Sequence, residues 1–159
     1  MSTNGYLPSA PVKLKAPYVE PHHKISIEVT QEQIPVVMTE AQKMYSMCFE
    51  PSGIHRSAEA IAHSQINDEK PLRLFVTRHG GVIINPKINR HTNAIMLKTE
   101  GCMSFPDKQP VPVERFYKIE AEYQTIDDGK LTEKRNIKLK GLEAQIWQHE
   151  IDHMNGKYV

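Results

Sequence analysis

A chain of 159 residues has the size of one domain, and it is long enough to bury a true core. Its formal charge of +1 gives no reason to expect nucleic acid (DNA included), an anionic membrane or a polyanionic substrate as partner, and its lysines and arginines lack the interleaved aromatics that grip a strand. Without a membrane-length apolar run or the basic and apolar regions of a signal peptide, a cytoplasmic protein is expected, with Cys48 and Cys102 kept as reduced thiols.

Residues 1–24 hold Pro8, Pro11, Pro17 and Pro21 with little apolar periodicity, which predicts an extended arm. Val37, Ala41, Met44 and Cys48 then recur at helical spacing and predict an amphipathic helix over 35–49. Thr30 and Gln33 resemble a capping box, but Pro35 would disturb the ladder of a helix started there, so the start stays open. Pro51, Ser52 and Gly53 break the chain, and a short apolar run through Ala58, Ala60, Ile61 and Ala62 ends at Gln65.

A β-rich middle follows. Leu72 to Thr77 and Val82 to Ile84 read as strands about Gly80-Gly81, with Asn85-Pro86 as a stop, and Ala94 to Leu97 is a further candidate. From Tyr117 to Thr125 apolar and polar residues alternate, as in a half-buried strand. Asp127-Asp128-Gly129 makes a turn, and Leu131 to Leu139 returns to complete an antiparallel hairpin.

The last nineteen residues carry the chemistry. His149, Glu150 and His153 form H-E-x-x-H; on a helix, residues four apart share a face, so the two imidazoles can meet one metal ion. Glu150, one residue round, points toward the place of a water beside that ion. Leu142, Ile146, His149 and His153 fall on one stripe, and Ala144, Trp147, Ile151 and Met154 on the opposite one, so the helix is expected between layers. Gly156 supplies its stop, and Gly141 sits at its other end. Strands first and this helix last predict an α+β fold over 1–159 as a single domain: antiparallel sheets packed around a central C-terminal metal-binding helix, with an N-terminal helix.

A catalytic site of this kind takes three protein ligands and leaves one position open. Cys102 stands in the setting Glu100-Gly101-Cys102-Met103-Ser104, where Gly101 permits close backbone approach and a metal would hold the thiol as thiolate. Alone, Cys102 reads as a buried thiol at a strand end. Beside H-E-x-x-H, with a hairpin able to return the chain to the same region, it reads as the third ligand.

EGCMS (Glu100 to Ser104) and QHEIDHMNG (Gln148 to Gly156) closely resemble two of the three signature motifs of peptide deformylases, in order and at a suitable separation. INPKI at Ile84 to Ile88 is similar to a strand ending of that family, and Ala58 to Gln65 matches the third motif, G-x-G-L-A-A-x-Q, more loosely. The resemblance implies a hydrolase that removes the formyl group from the N-terminal formyl-methionine of nascent chains near the ribosome, releasing formate, as a monomer. It implies a metal held by Cys102, His149 and His153, typically Fe(II), with Zn(II), Ni(II) or Co(II) able to substitute. Glu150 would move the proton, while Gln65 and the backbone N–H of Met103 would hold the developing oxyanion. Glu100 would stand behind the ligands, with Arg115 neutralising it and Asp152 beside them. Ala58, Glu59, Ala60, Ile61, Gly101, Leu142 and Gln145 would line the substrate site.

The chain departs from the family pattern in places. Ala58 and Ala60 replace glycines, His63 replaces alanine, and Glu59 and Gln145 make the methionine pocket more polar. The chain ends six residues after His153, where many members continue into a further helix, so a compact form such as some bacteriophages carry is expected. The alternatives are another H-E-x-x-H hydrolase, a small peptidase, and a metal-stapled binding module without catalysis. The first would need a third ligand beyond His153, where Met154 to Val159 offer none. The second would have no use for Glu150.

Overall fold

The computed structural model describes residues 24–49, 59–67, 69–100 and 111–157. Residues 1–23 of the arm expected over 1–24, together with Ala58, Gly101, Cys102 and Met103, lie outside them. The start of the first helix is resolved by a division of labour. The Thr30 N–H donates to Gln33 Oε1 at 2.9 Å, closing a 3-10 turn over Gln31–Gln33. Helix α1 (Ile34–Cys48) then begins with Pro35 in its first turn, where no N–H is missed.

The described strands are β1 (Ala60–Ala62), β2 (Leu74–Thr77), β3 (Val82–His91), β4 (Ile95–Glu100), β5 (Val111–Phe116), β6 (Lys118–Gln124), β7 (Ile126–Asp127), β8 (Lys130–Leu131) and β9 (Arg135–Lys140). Helix α2 (Gly141–Met154) follows. One antiparallel sheet runs β1-β2-β3-β6-β9, and β4-β5 and β7-β8 form two small ones. The architecture is therefore α+β, with antiparallel sheets around the C-terminal helix.

Alternation along the strands explains which layer goes where. Ile61, Leu74, Val76 and Ile84 point to one face of the large sheet and pack with Val37, Met44 and Met47 of α1. Ala60, Ala62, Phe75, Ile119, Ala121 and Leu139 point to the other and pack with Ala144, Trp147, Ile151 and Met154 of α2. Covered on both faces, β1 is buried at every residue. Trp147 pins α2 to the sheet by edge-to-face contacts with Phe75 (5.4 Å) and Tyr123 (5.5 Å). Each such contact contributes about 0.5–1.5 kcal/mol beyond burial.

Two strand expectations are corrected. Asn85-Pro86 does not stop β3, which continues to His91. Asn85 takes φ +51, and its side chain replaces ladder bonds by accepting from Val29 N–H and donating to Val29 O and Gln124 Oε1. Pro86 falls in the register shift between Ile84 and Lys87, where a bulge asks for no donor. The return strand is also divided, into β8, which pairs with β7, and β9, which pairs with β6; between them Thr132 donates its N–H to Thr125 O and accepts the Thr125 N–H through its hydroxyl. The turn between β7 and β8 has positive φ at both Asp128 and Gly129, the conformation that favours hairpin closure.

Strand β9 passes into α2 through one residue, Gly141, at φ +63. Its N–H donates to Tyr117 O at 2.9 Å. An added Cβ would meet only Tyr117 Cε1, at 4.0 Å, so the barrier to alanine is conformational rather than steric. Gly141→Ala is expected to cost about 1 kcal/mol of stability, measured by urea unfolding; an unchanged midpoint would show that the junction carries no such constraint.

Candidate active site

Helix α2 presents His149 and His153 one turn apart, with ring centroids 4.4 Å apart. His149 Nδ1 lies 2.8 Å from Glu100 Oε1 and His153 Nδ1 lies 3.1 Å from Lys157 O. Both partners can only accept, so each Nδ1 carries the hydrogen and each Nε2 carries the lone pair. Ligand atoms of His149, Glu150 and His153 lie within 4.8 Å of one another. Burial, and then the neighbouring His149, hold the His153 imidazole well below its usual range, which keeps it in the neutral form that binds metals.

Glu150 is buried, 4% exposed, and its Oε1 has no hydrogen-bond partner among the described residues. Burial pushes its carboxyl up to about 7, against the opposing influence of His149. A buried carboxylate left with an orphan oxygen is costly unless something is to be placed beside it. The two imidazole lone pairs and this oxygen make a donor set that suits a divalent cation with a water next to it. The residues present fit a metal.

Behind His149 stands a buried charged network. Arg115 on β5 grips Glu100 on β4 with two bonds, Nε to Oε2 at 2.9 Å and Nη2 to Oε1 at 2.6 Å, and its Nη1 reaches Asp152 on α2. Burial alone would raise the Glu100 carboxyl, but the bonds from Arg115 and His149 outweigh it and hold the group at about 2. Gln145 Nε2 donates to Glu100 Oε2 at 3.1 Å, so its amide is committed to this network. The structure therefore joins Glu100, Arg115, Gln145, His149 and Asp152 in one unit.

The other predicted residues are placed differently. Gln65 is buried and its Oε1 accepts the Ala62 N–H at 2.9 Å, which turns its amide nitrogen away from that backbone. It belongs to a 3-10 turn, His63–Gln65, packed with β1 against α2. Ala60 is buried on the α2 face, whereas Ile61 is buried on the α1 face. Glu59 is exposed and pairs with Arg78 at 3.6 Å. Leu142 is 59% exposed, one consequence of its place in the first turn of α2.

Sequence reasoning missed two supporting side chains. His63 Nδ1 accepts the Leu72 N–H at 2.9 Å, and its Nε2 lies 2.9 Å from Glu40 Oε1, so a departure from the family pattern fastens the Gln65 turn to α1. That bond holds the Glu40 carboxyl below its usual range. Gln148 accepts from Phe116 N–H and donates to Phe116 O, each at 2.9 Å, clamping α2 to β5. Both were visible only as polar residues at positions where helix or strand packing asks for apolar ones.

Residues 53–159 match the profile of the family described as polypeptide deformylase. A peptide deformylase of Thermus thermophilus is 33% identical over 129 residues, covering 73% of this chain and 64% of the relative. The chain thus spans about 64% of the length of that curated relative. Among solved structures, the enzyme of a Vibrio parahaemolyticus bacteriophage in complex with actinonin is 29% identical with TM-score 0.67, over 89% of this chain and 96% of the other. A Plasmodium falciparum peptide deformylase complexed with inhibitor is 30% identical with TM-score 0.68, over 89% and 82%.

Proposed function

The chain belongs to the polypeptide deformylase family, and on that footing we propose that it hydrolyses the formyl group from N-terminal formyl-methionine of nascent chains, releasing formate. The observation that carries the reading is the buried cluster of His149, Glu150 and His153, with both imidazole lone pairs on Nε2 and an oxygen of Glu150 that has no hydrogen-bond partner among the described residues. The phage and Plasmodium relatives bound to actinonin and to an inhibitor support it.

His149 and His153 hold the metal together with Cys102, and Fe(II) is the resident ion, with Zn(II), Ni(II) or Co(II) able to replace it. Such an ion supplies a Lewis acid that brings the pKa of a water to about 7. Glu100, two residues before Cys102 in the sequence, touches His149. Glu150 takes a proton from the attacking water and returns it to the departing amine. The Gln65 amide and the Met103 N–H hold the charge that grows on the formyl oxygen, each donor contributing about 10²–10³ in rate. Glu100, Arg115, Gln145 and Asp152 fix the His149 ring. Ala58, Glu59, Ala60, Ile61, Gly101 and Leu142 lie along the substrate, from the backbone side where their side chains are buried elsewhere.

The protein acts as a monomeric single domain in the cytoplasm, near the ribosome. Among the described residues no helix is long and apolar enough to cross a membrane.

Protein prepared anaerobically with Fe(II) is expected to release formate from formyl-Met-Ala-Ser. Cleavage of an internal peptide bond without formate release would give the site to a peptidase; neither reaction would leave a metal-stapled binding module.

Differential alkylation tests the third ligand. Cys48 is fully buried, and burial, with the nearby Glu150, pushes its thiol up to about 12, so it is expected to stay unlabelled at neutral pH until the chain unfolds. Cys102 is expected to label in chelator-treated protein and to be protected once metal is restored. Equal labelling of Cys102 in both preparations, read by mass spectrometry, would remove it from the ligand set.

A further inference from the structure

Strand β1 lies at the edge of the large sheet, and its register with β2 ends at Ala62. The turn that carries Gln65 begins at the next residue, past the last paired position. His63, 1% exposed, ties that turn down from both its backbone and its ring. Its carbonyl accepts from the N–H groups of Ile66 and Asn67, each at 3.0 Å. Its Nδ1 accepts the Leu72 N–H at 2.9 Å, which places the ring hydrogen on Nε2, donated to Glu40 Oε1 at 2.9 Å. Lys43 Nζ lies 3.6 Å from the other oxygen of that carboxylate.

One ring thus joins the turn, the segment entering β2 and the middle of α1. Gln65 hangs from the same turn. Its Oε1 is committed to the Ala62 N–H at 2.9 Å, so the place of its amide nitrogen follows the turn. Alanine at position 63 would leave the N–H of buried Leu72 without this acceptor and Glu40 without this donor. A buried donor stripped of its partner is unfavourable enough for the backbone to shift in search of another.

We infer that His63, oriented by Glu40, is a positioning residue that sets the Gln65 amide where the oxyanion forms. The task given to Gln65 rests on the proposed deformylation; the placement of its side chain by the His63–Glu40 pair does not. A donor aimed at charge that exists only in the transition state works from one place, and a misplacement of about 1 Å can cost about 10²-fold in rate. Glu40 contributes by holding the tautomer: with Nε2–H engaged, the Nδ1 lone pair stays on the Leu72 side. The anchor is α1, which packs on the sheet face opposite α2, so the two faces of the sheet are coupled through this side chain.

The test is steady-state formate release from formyl-Met-Ala-Ser by full-length protein, counted per metal-loaded molecule. His63→Ala is expected to lower kcat about tenfold at unchanged KM, part of the loss that follows when one oxyanion donor is removed. In a Gln65→Ala background the same change is expected to move kcat less than about twofold, because the donor it would displace is already gone. Glu40→Ala, which serves should His63→Ala fail to fold, is expected to lower kcat in the same way. Glu40→Gln, whose amide oxygen still accepts from Nε2, should restore it. A further tenfold loss on top of Gln65→Ala, or a rise in KM in place of the fall in kcat, would assign the pair to general support of the fold and overturn the inference. Placement is read separately from the Gln65 side-chain amide resonance of isotope-labelled, Zn(II)-loaded protein, expected to move in His63→Ala and Glu40→Ala and to return in Glu40→Gln. Should the parent release no formate, the deformylase reading falls and this resonance decides alone; an unmoved signal would show that the pair does not place Gln65.

Discussion

Glu150→Gln is expected to lower formate release by about 10²- to 10⁴-fold, the contribution of a positioned general base, with metal content unchanged by elemental analysis. The carboxylate sits one residue round the helix from His149, buried and with one oxygen unpartnered among the described residues. Because burial has pushed its proton affinity to about 7, it can take and give a proton at neutral pH without a large driving force either way. Glutamine keeps the volume and cannot carry the proton. The same substitution removes a buried acid with little to compensate it, so the melting temperature is expected to hold or rise, as at other sites where function is kept at the expense of stability. Near-parental turnover in a metal-replete Glu150→Gln protein would take Glu150 out of the mechanism.

Arg115→Met should be the most damaging single change to the fold around the site, costing about 3–5 kcal/mol, because it leaves a buried carboxylate uncompensated. Arg115 and Glu100 are both 6% exposed, and the guanidinium is bound to Glu100 and Asp152 at once. Its own pKa is raised, burial working against and the two carboxylate bonds outweighing it. Adding Glu100→Gln to Arg115→Met is expected to restore more than half of the loss, since the charge that had been stranded is then gone. Urea denaturation of the four proteins of that cycle decides the point. A loss below about 1 kcal/mol in Arg115→Met would mean that water reaches the pair, as in an exposed bridge.

What could be read beforehand follows from the range of the forces involved. The spacing of His149 and His153, the apolar stripe Ala144, Trp147, Ile151 and Met154, and the turn at Asp128-Gly129 are all local, and each is written within a few residues. The course of β3 through Asn85-Pro86 was not legible. The bonds that excuse it come from Val29 and Gln124, 56 and 39 residues away in sequence. His63 was equally opaque: its two ring nitrogens are satisfied by Leu72 and Glu40, partners that only the packing of α1 on the sheet brings together. Gln145 looked like a pocket wall because the family resemblance puts that position, one turn before His149, in the substrate site; its bond to Glu100 depends on where β4 ends. The Glu100–Arg115 contact, by contrast, was anticipated from the family resemblance.

The passage from β9 to α2 through Gly141 alone has a consequence for how this protein can change over time. With no slack between sheet and helix, the angular phase of every α2 side chain is indexed to the strand ladder. One residue gained or lost at that seam would swing the imidazole pair by about 100°, out of line with Glu100 and into the apolar layer. Lineages can therefore lengthen the Asp128-Gly129 tip freely, but drift by insertion at the seam is closed to them.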